Sequence, residues 1–101
     1  LCPENGVLMK EKTIEKKLIL AAKNMGGVAL KFMSPGLDGM PDRIVLLPGG
    51  RMGFVEVKAP GKVARPLQEA RHRMLRRLGF HVFVLDTIDQ IGGILDAICA
   101  P

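Results

Sequence analysis

The sequence predicts a single α/β domain built on a mixed β-sheet with helices on its faces. Three observations carry that expectation. Helix-like and strand-like patterns follow one another in the order α-β-β-β-α-β-α. Two of the strands are joined by a tight glycine turn, which makes them an antiparallel hairpin. A helix separates the last strand from that hairpin, the connection that a parallel neighbour requires. The 101 residues suit one hydrophobic core and leave no room for two, so residues 9–101 read as one domain. Residues 1–8, LCPENGVL, show no periodicity and precede the first methionine, and they read as an extension outside the fold.

Residues 10–25 carry apolar side chains at helical spacing, with Ile14, Leu18, Ala21, Ala22 and Met25 on one face. Gly26-Gly27 stops the helix, because glycine takes the left-handed conformation without penalty. VALKFM (28–33) is a short strand broken by Ser34-Pro35-Gly36. RIVLLP (43–48) is almost unbroken apolar and reads as a central strand; Pro48-Gly49-Gly50-Arg51 turns it into the return strand MGFVEVKA (52–59). The second helix opens on Pro66, a residue favoured at a first helical position because its missing N–H is not needed there. Its expected buried stripe is Leu67, Ala70, Met74, Leu75 and Leu78, and Gly79 closes it. FHVFVLD (80–86) is the fourth strand. Thr87-x-x-Gln90 is a capping-box pattern that opens a last helix, with Ile88, Ile91, Leu95 and Ile98 inward and Gly92-Gly93 weakening it.

Hydrophobic residues make up 48% and charged residues 25%, an ordinary globular composition that excludes a disordered chain. No apolar run approaches the ~18–20 residues of a bilayer span, and no basic stretch followed by an apolar one marks a leader. The expectation is a cytoplasmic protein, bacterial or phage-encoded, with no membrane partner. Fifteen Lys+Arg against ten Asp+Glu give a net charge of +5 and a pI near 9.6, which points to nucleic acid as partner. Every Lys and Arg lies between Lys10 and Arg77, while the charged residues beyond are Asp86, Asp89 and Asp96. The plain alternative is a basic surface kept for solubility. Trp and Tyr are absent and aromatics are 4%, which argues against base stacking and for binding through backbone charge and shape. Cys2 and Cys99 match no metal-ligand spacing and are expected as free thiols.

The chemistry concentrates in residues 39–58, GMPDRIVLLPGGRMGFVEVK. Residues two apart on a strand face the same side, so Phe54, Glu56 and Lys58 share a face while Val55 and Val57 turn to the core. Pairing about Gly49-Gly50 brings Asp42 to the far end of the return strand, within reach of Glu56 and Lys58. Two carboxylates suit Mg²⁺ or Mn²⁺, and a lysine beside them can orient an attacking water or offset negative charge on a phosphodiester. The plain alternative is a solvated Glu56–Lys58 ion pair on an exposed strand face. Elsewhere the signals are weaker. His72 sits among arginines and is expected on the surface or facing DNA, and His81 has no partner at ligand spacing. Gly49-Gly50 precedes no helix and is no phosphate loop; the six methionines read as core filler.

Gly39-Met40-Pro41-Asp42, Phe54-Val55-Glu56-Val57-Lys58, Gln68 near the start of the next helix, and Gly79-Phe80-x-Val82 after it resemble the PD-(D/E)XK nuclease superfamily, and within it the VRR-NUC family. The resemblance covers residues 10–98. It implies a restriction-endonuclease-like αβββαβα core and divalent-metal cleavage of phosphodiesters. Asp42 and Glu56 match the metal-binding acids, with the backbone carbonyl of Val57 as a further ligand. Lys58 matches the catalytic lysine, and Gln68 the helix glutamine that supports the site or contacts substrate. Glu15 matches an early acid that acts on the metal directly or through water. Val63-Ala64-Arg65 stands where the family has its valine-arginine-arginine signature, so Arg65 keeps one basic contact.

The function these readings predict is a structure-selective DNA endonuclease, with Lys62, Arg65, Arg71, Arg73, Arg76 and Arg77 holding phosphates. So small a chain offers one active site, so cutting both strands of a junction takes two copies. Stand-alone VRR-NUC proteins resemble Holliday junction resolvases, which implies a homodimer, with the C-terminal helix as a candidate face. The alternatives are a flap or restriction-type nuclease and a non-catalytic DNA-binding module. Restriction needs base-reading loops for which there is little chain, and mere binding does not call for acids beside phosphate.

Overall fold

Four strands form one sheet in sequence order: β1 (Val28–Lys31), β2 (Arg43–Leu47), β3 (Arg51–Val57) and β4 (Val82–Leu85). The structure is a computed structural model that describes residues 10–100, so the expected extension at 1–8 and Cys2 lie outside the described residues. β1 and β2 pair antiparallel, as do β2 and β3, and β4 joins β3 in parallel. The predicted mixed sheet is therefore present, with helices α1 (Glu11–Asn24), α2 (Pro66–Arg77) and α3 (Ile91–Cys99) on its faces. No helix among the described residues is long and apolar enough to cross a membrane.

Both faces of the sheet are covered, and unequally. On one face Ala29, Val45, Val55 and Val57 meet Ile14 and Leu18 of α1 together with Ile94 and Ile98 of α3, and this is the main core. On the other face Phe54 and Val82 meet Leu75 of α2, with Ile44, Met52 and Met74 beside them. α2 lies over the β3–β4 end only. Val28 and Leu30 of β1 and Leu46 of β2 share that face by register and stay exposed.

Element ends have local causes. α1 stops where Gly26 takes φ +83° and Gly27 N–H returns to the Ala22 carbonyl at 2.9 Å. Gly27 is also fixed by contact, since a Cβ there would run into the carbonyl oxygen of Leu46. β1 ends at Lys31, two residues earlier than expected, although Phe32 N–H still donates to the Asp42 carbonyl at 2.9 Å. Phe80 belongs to the end of α2 rather than to β4: its N–H closes onto the Leu75 carbonyl at 3.0 Å. The Thr87-x-x-Gln90 motif works as read. Gln90 Oε1 accepts from the N–H groups of Asp86 and Thr87, and a single 3-10 turn (Ile88–Gln90) leads into α3.

One expectation fails. The inward stripe of α2 is Gln68, His72 and Leu75, whereas Leu67 and Leu78 point outward, Leu78 with 66% of its surface exposed. The helix is rotated from the all-apolar reading because its first half covers polar chemistry on β3 and only its second half covers the Phe54 cluster.

The glycines give two opposite expectations. Gly27→Ala must push backbone apart and is expected to lower stability by about 2 kcal/mol or more. Gly93→Ala, inside α3 with nothing near its missing Cβ, should raise stability by about 0.5–1 kcal/mol. Urea unfolding midpoints of the two variants check both signs.

Candidate active site

The end of β3 gathers the predicted acids and lysine. Asp42 precedes β2, and its Oδ1 accepts from the Val57 N–H at 3.1 Å, which ties the mouth of one strand to the end of the other. Pro41 is fully buried beside it, so the approach to Asp42 is fixed by packing. The loop before it is clamped onto α2 by Arg71, whose Nε donates to the Asp38 carbonyl at 2.8 Å. Gly39 lies so close to α2 at φ +85° that a Cβ would sit 2.8 Å from Leu67 Cγ.

Glu56 is opposite Val84 in the β3–β4 ladder and only 3% exposed. The plain alternative of a solvated pair on an exposed strand face is not met: the acid lies under α2, not in solvent. Gln68 Nε2 donates to Glu56 Oε2 at 3.0 Å, while Gln68 Oε1 accepts from the Arg65 N–H at 2.9 Å. The second bond fixes the first, since an amide whose oxygen is taken at the helix start must present its nitrogen to the acid. Lys58 Nζ stands 3.7 Å from Glu56 Oε2, and the Lys58 N–H continues the ladder to the Leu85 carbonyl at 2.8 Å.

The two acids disfavour each other's charge. Burial first, and then the charge of Asp42, push the Glu56 carboxyl up to about 7 against the pull of Lys58. Burial also raises Asp42, with the Val57 N–H opposing and the charge of Glu15 adding. Among the described residues no three His, Cys, Asp or Glu side chains gather as ligands. A cation here would rest on Asp42, Glu56, the Val57 carbonyl and water. The site suits one: Glu56 Oε1 is buried with no hydrogen-bond partner among the described residues, beside a second carboxylate.

Glu15 stands apart from the pair. Its Oε2 meets Arg43 NH2 at 2.9 Å and Nε at 3.0 Å, so its effect on Asp42 is through charge. The basic residues divide. Lys62, Arg65, Arg73 and Arg77 are exposed, whereas Arg71 holds the Asp38 carbonyl and Arg76 the Val82 carbonyl at 2.8 Å.

His72 corrects the surface placement expected for it. It is 2% exposed, and its Nε2 lies 3.7 Å from Glu56 Oε1. Neither atom has a hydrogen-bond partner among the described residues, and each such buried orphan costs about 1–3 kcal/mol. Burial, and then Arg76, lower its affinity for a proton. The signal was spacing: Gln68, His72 and Leu75 stand at i, i+4 and i+7, one helical face.

No family model matches this chain. A protein of Acyrthosiphon pisum secondary endosymbiont phage 1 named "Putative nuclease p44" is 47% identical over 91 residues, which span 90% of this chain and 97% of that protein. A solved structure described as a VRR_NUC domain superposes with a TM-score of 0.80 at 31% identity, over 85% of this chain and 94% of its own.

Glu56 makes stability depend on pH in a defined direction. An acid whose folded pKa exceeds its unfolded value of 4.5 holds its proton more tightly when folded. Without metal, the resulting stability is complete below pH 4.5 and is lost as pH rises through about 7. Glu56→Gln lacks this loss, so in EDTA its stability should gain on the parent by up to about 3 kcal/mol across that range. Melting curves against pH measure the gap, and a gap that stays flat would mean that Glu56 ionises like an ordinary carboxylate.

Proposed function

The chain belongs to the VRR-NUC family of nucleases, and on that premise we propose that it is a Mg²⁺- or Mn²⁺-dependent DNA endonuclease that hydrolyses phosphodiesters at four-way junctions as a homodimer. The observation that carries the reading is the convergence of Asp42, Glu56 and Lys58 at the end of β3, with Gln68 fixed onto Glu56. A structural ion pair has no need of a second carboxylate that raises the pKa of the first.

Asp42, Glu56 and the Val57 carbonyl supply the hard oxygens that Mg²⁺ or Mn²⁺ takes. A bound ion supplies Lewis acidity toward the phosphate and a more acidic water. The protein's own residues do the positioning. Gln68 holds one oxygen of the Glu56 carboxylate, and the Val57 N–H holds one oxygen of Asp42. The Lys58 ammonium, largely buried beside Glu56, would orient the attacking water and offset the negative charge that builds on the phosphate. Glu15 contributes through water or through its charge on Asp42.

Substrate is held by charge. Lys62 and Arg65 stand on the segment that leads into α2, and Arg73 and Arg77 on the helix itself, all exposed and all suited to phosphate rather than to base edges. Arg71 and Arg76 share in this with the donors they have left. For the dimer, the apolar side of α3 is already taken: Ile91, Ile94, Leu95 and Ile98 are buried in the chain's own core. The uncovered sheet surface at Val28, Leu30 and Leu46 is the better candidate.

Labelled four-way junction, flap and linear duplex, each incubated with Mg²⁺, Mn²⁺ or EDTA, test the proposal together. The expected result is junction cleavage with either ion, none in EDTA, and a fall of about a hundredfold or more for Asp42→Ala and for Lys58→Ala. Preference for the flap moves the substrate assignment; cutting that persists in EDTA, or in both variants, removes the mechanism. Light scattering should report twice the mass of one chain at micromolar concentration, and a monomer there rules out the dimer.

A further inference from the structure

His72 is the one polar residue at the site for which neither the fold nor the proposed chemistry has yet a use. A histidine on a helix over an apolar sheet would ordinarily be satisfied by a carbonyl or by solvent. This one is 2% exposed, and its Nε2 has no hydrogen-bond partner among the described residues. Glu56 Oε1 lies 3.7 Å away and, among the described residues, is equally without a hydrogen-bond partner. The other oxygen of the same carboxylate already has Gln68 at 3.0 Å and Lys58 at 3.7 Å.

We propose that His72 is a positioning residue for Glu56: its Nε2–H closes onto Glu56 Oε1 when the site is loaded and locks the carboxylate from the side opposite Gln68. The proposal rests on the metal-dependent reading above. The closure is small, from 3.7 Å to the ~3.0 Å of an N–H···O bond, and catalytic hydrogen bonds commonly tighten in this way on loading. Gln68 and His72 stand one helical turn apart on the inward face of α2, so a single rigid helix delivers both donors to the two oxygens of one acid. Held at one oxygen, the carboxylate can still swing about that contact. Held at both, it has one orientation. An ionised carboxylate only accepts, so His72 must carry its proton on Nε2, which leaves Nδ1 as the bare nitrogen. The imidazole is also in the wall of a cleft of about 410 Å³ that Lys62, Arg73 and Arg76 share with Glu69 and Asp86.

Three substitutions and one spectrum test this. Mn²⁺ binding to the full chain, read by calorimetry, should weaken about 10–100-fold in His72→Phe, the range typical of a lost partner behind a metal ligand. His72→Gln, whose amide nitrogen can stand where Nε2 stood, should recover most of that loss, and His72→Asn, which replaces Nδ1, should not. In the parent protein at alkaline pH, where Glu56 is ionised, ¹⁵N shifts should place the His72 proton on Nε2. Unchanged Mn²⁺ affinity in His72→Phe, equal loss in the Gln and Asn variants, or a proton on Nδ1 would each overturn the proposal. The spectrum needs no variant, so a misfolded mutant does not shield the idea. Asp42→Ala is the separate control: if it binds Mn²⁺ like the parent, the metal site itself is wrong, whatever His72 does.

Discussion

Much of this molecule follows from one carboxylate placed under a helix. Glu56 is on a strand whose neighbours, Phe54, Val55 and Val57, are all buried, so the acid lies in the core with them. Its burial is tolerable because α2 brings polar atoms to meet it, and that need sets the rotation of the helix. Gln68 and His72 face inward where leucines would otherwise stand, and Leu67 and Leu78 are left outside. The site therefore shapes the packing of the layer above it. A helix chosen only for apolar contact would have turned its leucines down and excluded the carboxylate.

The rest of the acid's environment comes from chain ends held by main-chain bonds. Asp42 is fixed on three sides, by the Val57 N–H on its carboxylate, by the Phe32 N–H on its carbonyl, and by buried Pro41 before it. The loop that leads to it is tied to α2 through Arg71 and Gly39. Strand, loop and helix are thus registered to one another at the place where the two carboxylates approach. Such sites work when geometry is set before a ligand arrives, because little ordering is left for binding to supply.

The sequence was legible where one residue dictates one local outcome. Pro66 started a helix, Gly26-Gly27 ended one, Gly49-Gly50 turned a hairpin and Gln90 capped the last turn, all as read. The strand pairing that brings Asp42 near Glu56 also followed from the hairpin alone. What the sequence concealed was direction. Alternation on β3 correctly separated Val55 and Val57 from Glu56, but it could not say that a second layer covers the Glu56 face. Two faces compete on α2, and composition favours the one with Leu67 and Leu78, whereas the tertiary contact with Glu56 favours the one with Gln68 and His72. His72 was misplaced for that reason: the arginines on either side made it look like part of a solvated face.

The same confusion of composition with placement affects the reading of charge. A net charge of +5 suggests a broad electropositive face, yet several arginines have structural tasks. Arg43 pairs with Glu15, Arg51 donates to the Ala100 carbonyl, Arg71 to the Asp38 carbonyl and Arg76 to the Val82 carbonyl. Guanidinium groups suit this work because one planar fork can satisfy orphan carbonyls at loop and strand ends. Among the described residues the exposed cations outside these contacts are Lys62, Arg65, Arg73 and Arg77, on α2 and the segment before it, and Lys10, Lys12, Lys16, Lys17, Lys23 and Lys31, on and around α1 and β1. Salt dependence scales with phosphates neutralised rather than with total charge. On the nuclease reading proposed above, the cations that follow β3 in the chain are the ones that would meet the phosphates nearest the cut.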